Sequence, residues 1–345
     1  MEQEPVRVLI TTPLEAEFTA RIAAVDSRLE VTYPSQLIPQ MRYLADHAAA
    51  NPQSAEDIAA WRSLLNSAEV LFDFGPRPLQ TEIAAWPKLR WIQATSAGVG
   101  QFAARIGLGG SRIVVTTASG VHARPLAEFT LMAMLMFGKG AFGMLADQKA
   151  HRWERYAGED LAGKVVGIVG VGRIGREVAR VVRGLDARVV GTVRDIGDRT
   201  AEDLNLDRLL ATADLDRILG DLNFLVLTCP HTPETEGLIS AARLAKLKPS
   251  AVLINLARGA IVDEPAMIAA LRTGKLAGAA LDVVAKEPLA PDSPLWDMPN
   301  VLISPHSAST TSSENGKITD LFCDNLRRYL DGRPLRNVLN YELLY

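Results

Sequence analysis

Short β-branched runs alternate with helix-length amphipathic stretches along almost the whole chain, and few architectures accept that rhythm. Parallel strands need a crossover between them, so strand–helix alternation points to parallel sheets in an α/β fold. A first set of strand-like runs comprises VRVLIT (6–11), LEVTY (29–33), VLFDF (70–74), LRWIQA (89–94) and RIVVTT (112–117). Helical patterns fit between them at 14–25, 54–66 and 78–85, and HAAANPQSAEDIAA (47–60) reads as a loop leading into a helix. A long amphipathic helix is expected over roughly 122–145, with Pro125 tolerated in its first turn. Its apolar centre FTLMAMLMF (129–137) is about half of what a membrane span needs and reads as buried. A second set of strands follows at 164–169, 187–193, 222–228, 250–255, 277–282 and 300–304. The closing helix, 315–332, stops at Gly332 with Pro334 just beyond.

Two sets of strands in 345 residues predict two domains, since single cores stop growing near this length. The expected division is a discontinuous domain of 1–118 and 309–345 and an inserted domain of 119–308. Composition narrows the function classes. With 48% hydrophobic and 22% charged residues the chain is of the globular type, and a net charge of −3 gives no basic footprint for nucleic acid or membrane. The acidic, strand-like start MEQEPVRVLITT is unlike a signal peptide. Two cysteines, Cys229 and Cys323, cannot build a disulfide framework and fit a reducing cytoplasm.

KVVGIVGVGRIGREVARVV (164–182) holds Gly170-x-Gly172-x-x-Gly175 between an apolar run and a helix with Ile174, Val178, Val181, Val182 and Leu185 on one face. In that context Gly170 permits a tight turn, Gly172 lets the backbone approach a pyrophosphate, and Gly175 allows close helix–strand packing. The helix start, with Arg173 and Ile174, offers N–H groups to the anion. A dinucleotide site usually carries a carboxylate about 20 residues on, for the ribose 2′-hydroxyl. Eighteen residues past Gly175 stands Val193, followed by Arg194 and Asp195. Arg194 suits a 2′-phosphate, which favours NADP(H) over NAD(H); Asp195 is the alternative acceptor if the strand runs one or two residues longer.

Three more apolar runs end in polar residues: VLINLARG in Asn255 and Arg258, GAALDVVAKEPL in Asp282 and Glu287, and NVLISPHSA in His306. Ligands of open α/β sheets sit at strand carboxyl ends, so residues far apart in sequence can converge there. Hydride addition to a carbonyl leaves charge on its oxygen, and a proton donor must face it. A carboxylate beside a histidine favours the imidazolium, and a guanidinium fork pairs with a substrate carboxylate as lysine would not.

The glycine motif, TCPHTPETEGLI (228–239), NLARG, LDVVAKEPL, SPLW (293–296) and PNVLISPH stand together in an order that resembles the D-isomer-specific 2-hydroxyacid dehydrogenases. The likeness covers roughly 90–310 and is loose before 69. It implies a Rossmann dinucleotide-binding domain inserted in a flavodoxin-like substrate domain, both doubly wound, with the long helix serving dimerisation. It also implies that Arg258 holds the substrate's carboxylate and carbonyl, Glu287 pairs with His306, and His306 is the general acid/base. Asp282, Cys229, Pro230, Ala257 and His306 are then expected along the cofactor. ATSAGVGQF (94–102) matches the loop whose amides meet the substrate carboxylate, with Ala97 and Gly98 as donors and Gly100 where the family commonly has an acidic residue.

Other candidates carry less. Cys229 reads as packing rather than nucleophile for want of an activating base. His122 and His231 at most flank the site, His47 reads as a surface residue, and Trp153 as a packing or pocket-shaping side chain. The histidines lack metal-ligand spacing, so no metal is expected. Taken together, the expected protein is a cytoplasmic, homodimeric NAD(P)-dependent reductase of small 2-oxo acids, of the glyoxylate or hydroxypyruvate type. Glutamate at 287, where formate dehydrogenases carry glutamine, argues against formate oxidation, and the chain length leaves no room for the regulatory domain of some phosphoglycerate dehydrogenases. The rival reading is a dinucleotide-sensing scaffold like the C-terminal-binding corepressors.

Overall fold

The computed structural model describes residues 4–49 and 53–345; residues 1–3 and 50–52, which belong to the amino-terminal and 47–60 stretches singled out above, lie outside it. The chain forms two compact units, one of residues up to His122 with Thr310–Tyr345, the other of Ala123–Ser309.

The first unit begins β1 (Val6–Ile10), α1 (Ala16–Ala23), β2 (Leu29–Thr32), α2 (Ala55–Ser67) and β3 (Val70–Phe72). It continues through β4 (Trp91–Gln93), α3 (Gly100–Arg105) and β5 (Val114–Thr116). Helix α2 starts where the sequence places it because Ser54 and Asp57 form a capping box: the Asp57 N–H donates to Ser54 Oγ at 3.1 Å and the Ser54 N–H to Asp57 Oδ2 at 2.9 Å. The helical pattern at 78–85 instead winds as a 3₁₀ segment, Arg77–Ala85, entered through Pro76 and Pro78. All strands are parallel in the order β2-β1-β3-β4-β5, so the chain reverses direction across the sheet between β1 and β3. Leu65, Leu71, Ile83 and Ile92 fill one side of this sheet and Val8, Ile10, Phe72 and Trp91 the other. Each such side chain contributes about 1.5–3 kcal/mol on burial.

The second unit opens with a correction. The single helix expected over 122–145 is two, α4 (Ala123–Gly138) and α5 (Ala141–Lys149), bent by 64°. The break falls at Gly140, whose φ of +67° stops the helix, and Tyr156 Oη donates to the Lys139 carbonyl at 2.8 Å. The apolar run is not wholly buried either: Thr130, Ala133 and Met134 face the core, but Met132 is 43% and Leu135 37% exposed. Trp153 is 97% exposed, so it is not the buried packing side chain the sequence allowed. No single helix among the described residues is long and apolar enough to cross a membrane.

Next come β6 (Val165–Val169), α6 (Arg173–Arg183), β7 (Arg188–Val193), β8 (Arg208–Ala211) and β9 (Phe224–Leu227). The unit closes with α7 (Ala241–Leu244), β10 (Val252–Asn255), α8 (Glu264–Arg272), β11 (Gly278–Leu281) and β12 (Val301–Ile303). The seven strands run parallel as β12-β11-β10-β9-β6-β7-β8, with the reversal between β6 and β9. Strand β8 had no counterpart among the expected strands; RLLA is short, and only pairing with β7 makes it a strand. Helix α9 (Glu314–Leu330) then packs Ile318, Phe322 and Leu326 into the first unit's core. Both sheets are the doubly wound α/β type the alternation predicts.

Candidate active site

At the sheet reversal of the second unit, β6 ends in the glycine loop. Gly170 adopts a φ of +93°, and a Cβ there would stand 2.5 Å from the Cys229 Cα, so no other residue fits. Gly175 is packed, with the Gly170 carbonyl oxygen 2.8 Å from where its Cβ would be, whereas a Cβ on Gly172 would meet nothing within 4 Å. The loop is thus closed toward the sheet and open above Gly172, at the first turn of α6 with Arg173 exposed and Ile174 part-buried. That opening, lined by backbone N–H groups at a helix start, has the form that could hold a pyrophosphate.

The neighbouring strand ends close around it. Thr228 Oγ donates to the Gly170 carbonyl at 2.8 Å and positions Cys229 and Pro230. Burial pushes the Cys229 thiol up to about 12, so it stays protonated and non-nucleophilic at neutral pH. Strand β7 ends at Val193, leaving Arg194 exposed directly after it; Asp195 lies in the following turn, accepting the Gly197 N–H at 3.1 Å. The Arg194 guanidinium faces Glu234, whose carboxyl is held below its usual range by Thr232, by its own backbone N–H and by that cation.

The titratable groups gather at the carboxyl ends of β10, β11 and β12. After β10, Asn255 shapes the turn: its Oδ1 accepts the Ala257 N–H and its Nδ2 donates to the Arg258 carbonyl, both at 3.1 Å. Arg258 is part-buried and its Nη1 donates to the Ala257 carbonyl at 2.7 Å. Desolvation pulls its pKa down while the charges of Glu287 and Asp282 pull it back up, and a guanidinium starting so high remains a cation at neutral pH. Beyond β12, His306 takes a left-handed backbone, φ +53°, and its N–H donates to the Asp282 and Ser304 carbonyls, both at 2.9 Å. Asp282, buried after β11, accepts from Ser304 Oγ and from the Ala308 N–H, both at 2.8 Å, and so ties the β12 exit to β11.

His306 Nδ1 lies 2.8 Å from Glu287 Oε2. The hydrogen bond to Glu287 raises the His306 pKa against the opposing effect of burial, with the Glu287 charge adding to the rise. Burial would raise Glu287, but the bond and charge of His306, the Val284 N–H and Arg258 outweigh it and leave its pKa lowered. The pairing therefore favours the imidazolium and carboxylate forms, with Nε2 as the ring nitrogen that does not face Glu287.

Thirteen of the fifteen site residues read from the sequence thus stand in one unit, at or just beyond carboxyl ends of its strands: Gly170, Gly172, Arg173, Ile174, Gly175, Arg194, Cys229, Pro230, Ala257, Arg258, Asp282, Glu287 and His306. Ala97 and Gly98 are in the other unit, on the loop that follows β4. Sequence reasoning missed Gly259, Ser304 and Glu264. A Cβ on Gly259 would collide with the Val284 backbone at 1.9 Å, so this glycine lets the Arg258 turn abut the Glu287 turn. Glu264 Oε2 accepts the Ala285 N–H at 2.9 Å and holds the latter turn from below. The glycine of NLARG was the available signal. One histidine needs correction, and another gains a partner. His47 is not a plain surface residue, since its ring bridges Thr12 Oγ1 and Asn315 Oδ1 at 2.9 Å each; His122 pairs with the buried Glu314 at 3.0 Å in the first unit.

Comparison with known proteins gives this arrangement a family. Residues 131–308 match the model of the D-isomer specific 2-hydroxyacid dehydrogenase NAD binding domain. Glyoxylate/hydroxypyruvate reductase B of Pectobacterium atrosepticum is 35% identical over 286 residues, covering 81% of this chain and 88% of that protein. A D-isomer specific 2-hydroxyacid dehydrogenase of Xanthobacter autotrophicus, solved with NADPH and MES, superposes with a TM-score of 0.78 at 27% identity over 99% of this chain and 100% of that one. An NADPH-dependent glyoxylate/hydroxypyruvate reductase of Sinorhizobium meliloti, solved with NADP and sulfate, gives 0.77 at 25% identity over the same shares. With its glycine cradle, its guanidinium and its histidine–carboxylate pair on one parallel sheet, the chain belongs to the D-isomer specific 2-hydroxyacid dehydrogenase family, nicotinamide-dependent oxidoreductases of small 2-hydroxy and 2-oxo acids.

Proposed function

We propose that the protein reduces small 2-oxo acids of the glyoxylate and hydroxypyruvate type with NADPH, in the cytoplasm and as a homodimer. The observation that carries the reading is the 2.8 Å pairing of His306 with Glu287 beside the charged, part-buried Arg258. The second unit is then the cofactor domain and the first the substrate domain.

The residues present fit the cofactor: the open space above Gly172 and the α6 N–H groups would hold its pyrophosphate, Ala257, Cys229, Pro230 and Asp282 would flank its nicotinamide, and Arg194 would meet the 2′-phosphate. When bound, the reduced cofactor supplies the hydride. Arg258 binds the substrate carboxylate through its planar fork and polarises the adjacent carbonyl. Ala97 and Gly98, on a loop that surfaces after β4, offer backbone N–H groups to the same carboxylate. His306 donates its Nε2 proton to the carbonyl oxygen, so that hydride and proton together turn C=O into CH–OH; in oxidation His306 takes that proton back. Glu287 keeps the imidazole oriented and protonated between turnovers.

NADP use is supported by the exposed Arg194 at the end of β7 and by the NADPH and NADP named with the two solved relatives. Dimerisation is supported by the apolar surface of α4, α5 and the segment after them, where Met132, Leu135, Leu145 and Trp153 lie exposed. Sedimentation should show a dimer that Trp153→Glu shifts toward monomer. Two free, buried cysteines agree with a reducing compartment. The function is tested by following NADPH and NADH absorbance against a panel of 2-oxo acids. Turnover of glyoxylate and hydroxypyruvate, faster with NADPH, is expected. Tight cofactor binding without turnover of any panel member would replace the enzyme with a dinucleotide-sensing scaffold.

A further inference from the structure

Strand β5 lies at the edge of the first unit's sheet, and the segment after α9 returns along it. Val338 pairs antiparallel with Thr116, the Leu339 N–H donates to the Val115 carbonyl at 2.8 Å, and the Thr117 N–H donates to the Asn337 carbonyl at 2.9 Å. Beyond this ladder residues 340–345 close into a turn. Asn340 Oδ1 accepts the Glu342 and Leu343 N–H groups, each at 2.9 Å, and the Asn340 N–H donates to the Tyr345 carbonyl at 3.2 Å. Inside the turn Leu344 takes a left-handed backbone, φ +61°. The turn is seated on α3. A Cβ on Gly100, the first residue of that helix, would stand 1.9 Å from the Leu344 carbonyl oxygen and 2.7 Å from the Leu344 Cα. A Cβ on Gly109 would stand 3.4 Å from the Tyr341 ring.

Gly100 is not among the glycines with positive φ, so its backbone would accept a side chain, and what excludes one is Leu344. This is the position where the resemblance puts an acidic residue, and with Leu344 in place none fits. The run between β4 and α3 is tied before the two residues whose amides are read as substrate donors. The Ala94 N–H donates to the Thr116 carbonyl at 2.8 Å, and the Ala118 N–H to the Ser96 carbonyl at 3.1 Å. Past Ala97 and Gly98 the chain enters α3, where the Ala103 N–H donates to the Val99 carbonyl at 2.8 Å. With six residues α3 is too short to hold itself by its own hydrogen bonds, so the groups packed against its start decide where that start lies.

We propose that the 340–345 turn is a positioning element for 2-oxo acid binding: seated on Gly100, it fixes the start of α3 and with it the direction of the Ala97 and Gly98 N–H groups. This rests on the reading that those amides receive the substrate carboxylate. Preorganised donors gain affinity because the loop is not ordered at the expense of binding.

The test releases the turn from both sides. Gly100→Ala puts a methyl group where the Leu344 carbonyl lies, and Asn340→Ala removes the oxygen that accepts two N–H groups of the turn. With glyoxylate and NADPH each should raise KM about fivefold, the order of one lost hydrogen bond. The kcat and NADPH affinity should stay within about twofold, and Asn340→Asp, which keeps an acceptor oxygen, should recover most of the KM. Because both changes undo one contact, the double variant should have a KM no higher than the worse single one. An unchanged KM in either single variant, KM increases that multiply in the double, or a parallel fall of kcat and NADPH affinity overturns the proposal. If Gly100→Ala does not fold, Asn340→Ala and Asn340→Asp decide by the same KM criterion. Amide exchange separates the two layers. In the wild type with NADPH, oxamate should slow exchange at residues 97 and 98. No slowing removes the loop reading and the turn's role with it, whereas slowing in the wild type beside variants of normal KM removes the turn's role alone.

Discussion

The two units are built alike and equipped differently. Each is a parallel sheet with helices on both sides and one reversal of strand order, at β1/β3 in the first and β6/β9 in the second. To one side of the second reversal, the ends of β10, β11 and β12 carry titratable side chains: a guanidinium, a carboxylate and an imidazole whose pKa is raised. Around the first, the polar side chains are spent on one another. Thr11 Oγ1 donates to the Phe72 carbonyl and accepts the Gly75 N–H, and His47 spans Thr12 and Asn315. What such a rim can present to a ligand is backbone. A domain that works through side chains advertises its function in residue identity, whereas one that works through amides can do so with many sequences.

The sharpest break of this contrast is His306→Gln. If the second unit supplies the acid, turnover should fall by about 10²–10⁴-fold while the NADPH dissociation constant measured by fluorescence stays put. A near-normal rate would move the proton donor elsewhere. Arg194→Ala should come next, weakening NADPH by roughly 10–100-fold and NADH little, as expected for one charge-assisted contact to a phosphate; equal losses would leave 2′-phosphate recognition to other residues. Glu287→Gln gives a smaller change at neutral pH but a diagnostic one. If His306 is the proton donor proposed above, reduction needs it protonated, and since Glu287 raises its pKa, kcat/KM should fall as pH climbs through a value above that of an ordinary histidine. Removing the carboxylate should carry that falling limb to lower pH; a limb that stays in place assigns it to another group.

The lack of residue-level fingerprint in the first unit also explains which parts were legible. The resemblance is specific from about residue 90 onward and loose before 69, and the unit whose strand ends carry no reactive triad is the one that fills the early sequence. Its strands were still readable, because Val, Ile and Leu runs in a doubly covered sheet need no partner information. Where single-segment patterns failed, a partner decided. Strand β8 exists through its pairing with β7, and the long helix breaks at Gly140 beside Tyr156, a side chain 16 residues on. Met132, Leu135 and Trp153 are apolar yet exposed because a pattern reports what a residue avoids, not what covers it.

The sequence by itself determined the two parallel sheets, the glycine turn and the reactive residue types, since periodicity, φ > 0 turns and side-chain chemistry are properties of short segments. Tertiary structure alone decided that Glu287 lies within 2.8 Å of His306, that Gly259 admits Val284, and that His47 is locked rather than free. Those are matters of distance and burial between segments far apart in the chain, and a pKa or a hydrogen bond exists only once the fold has brought its two partners together.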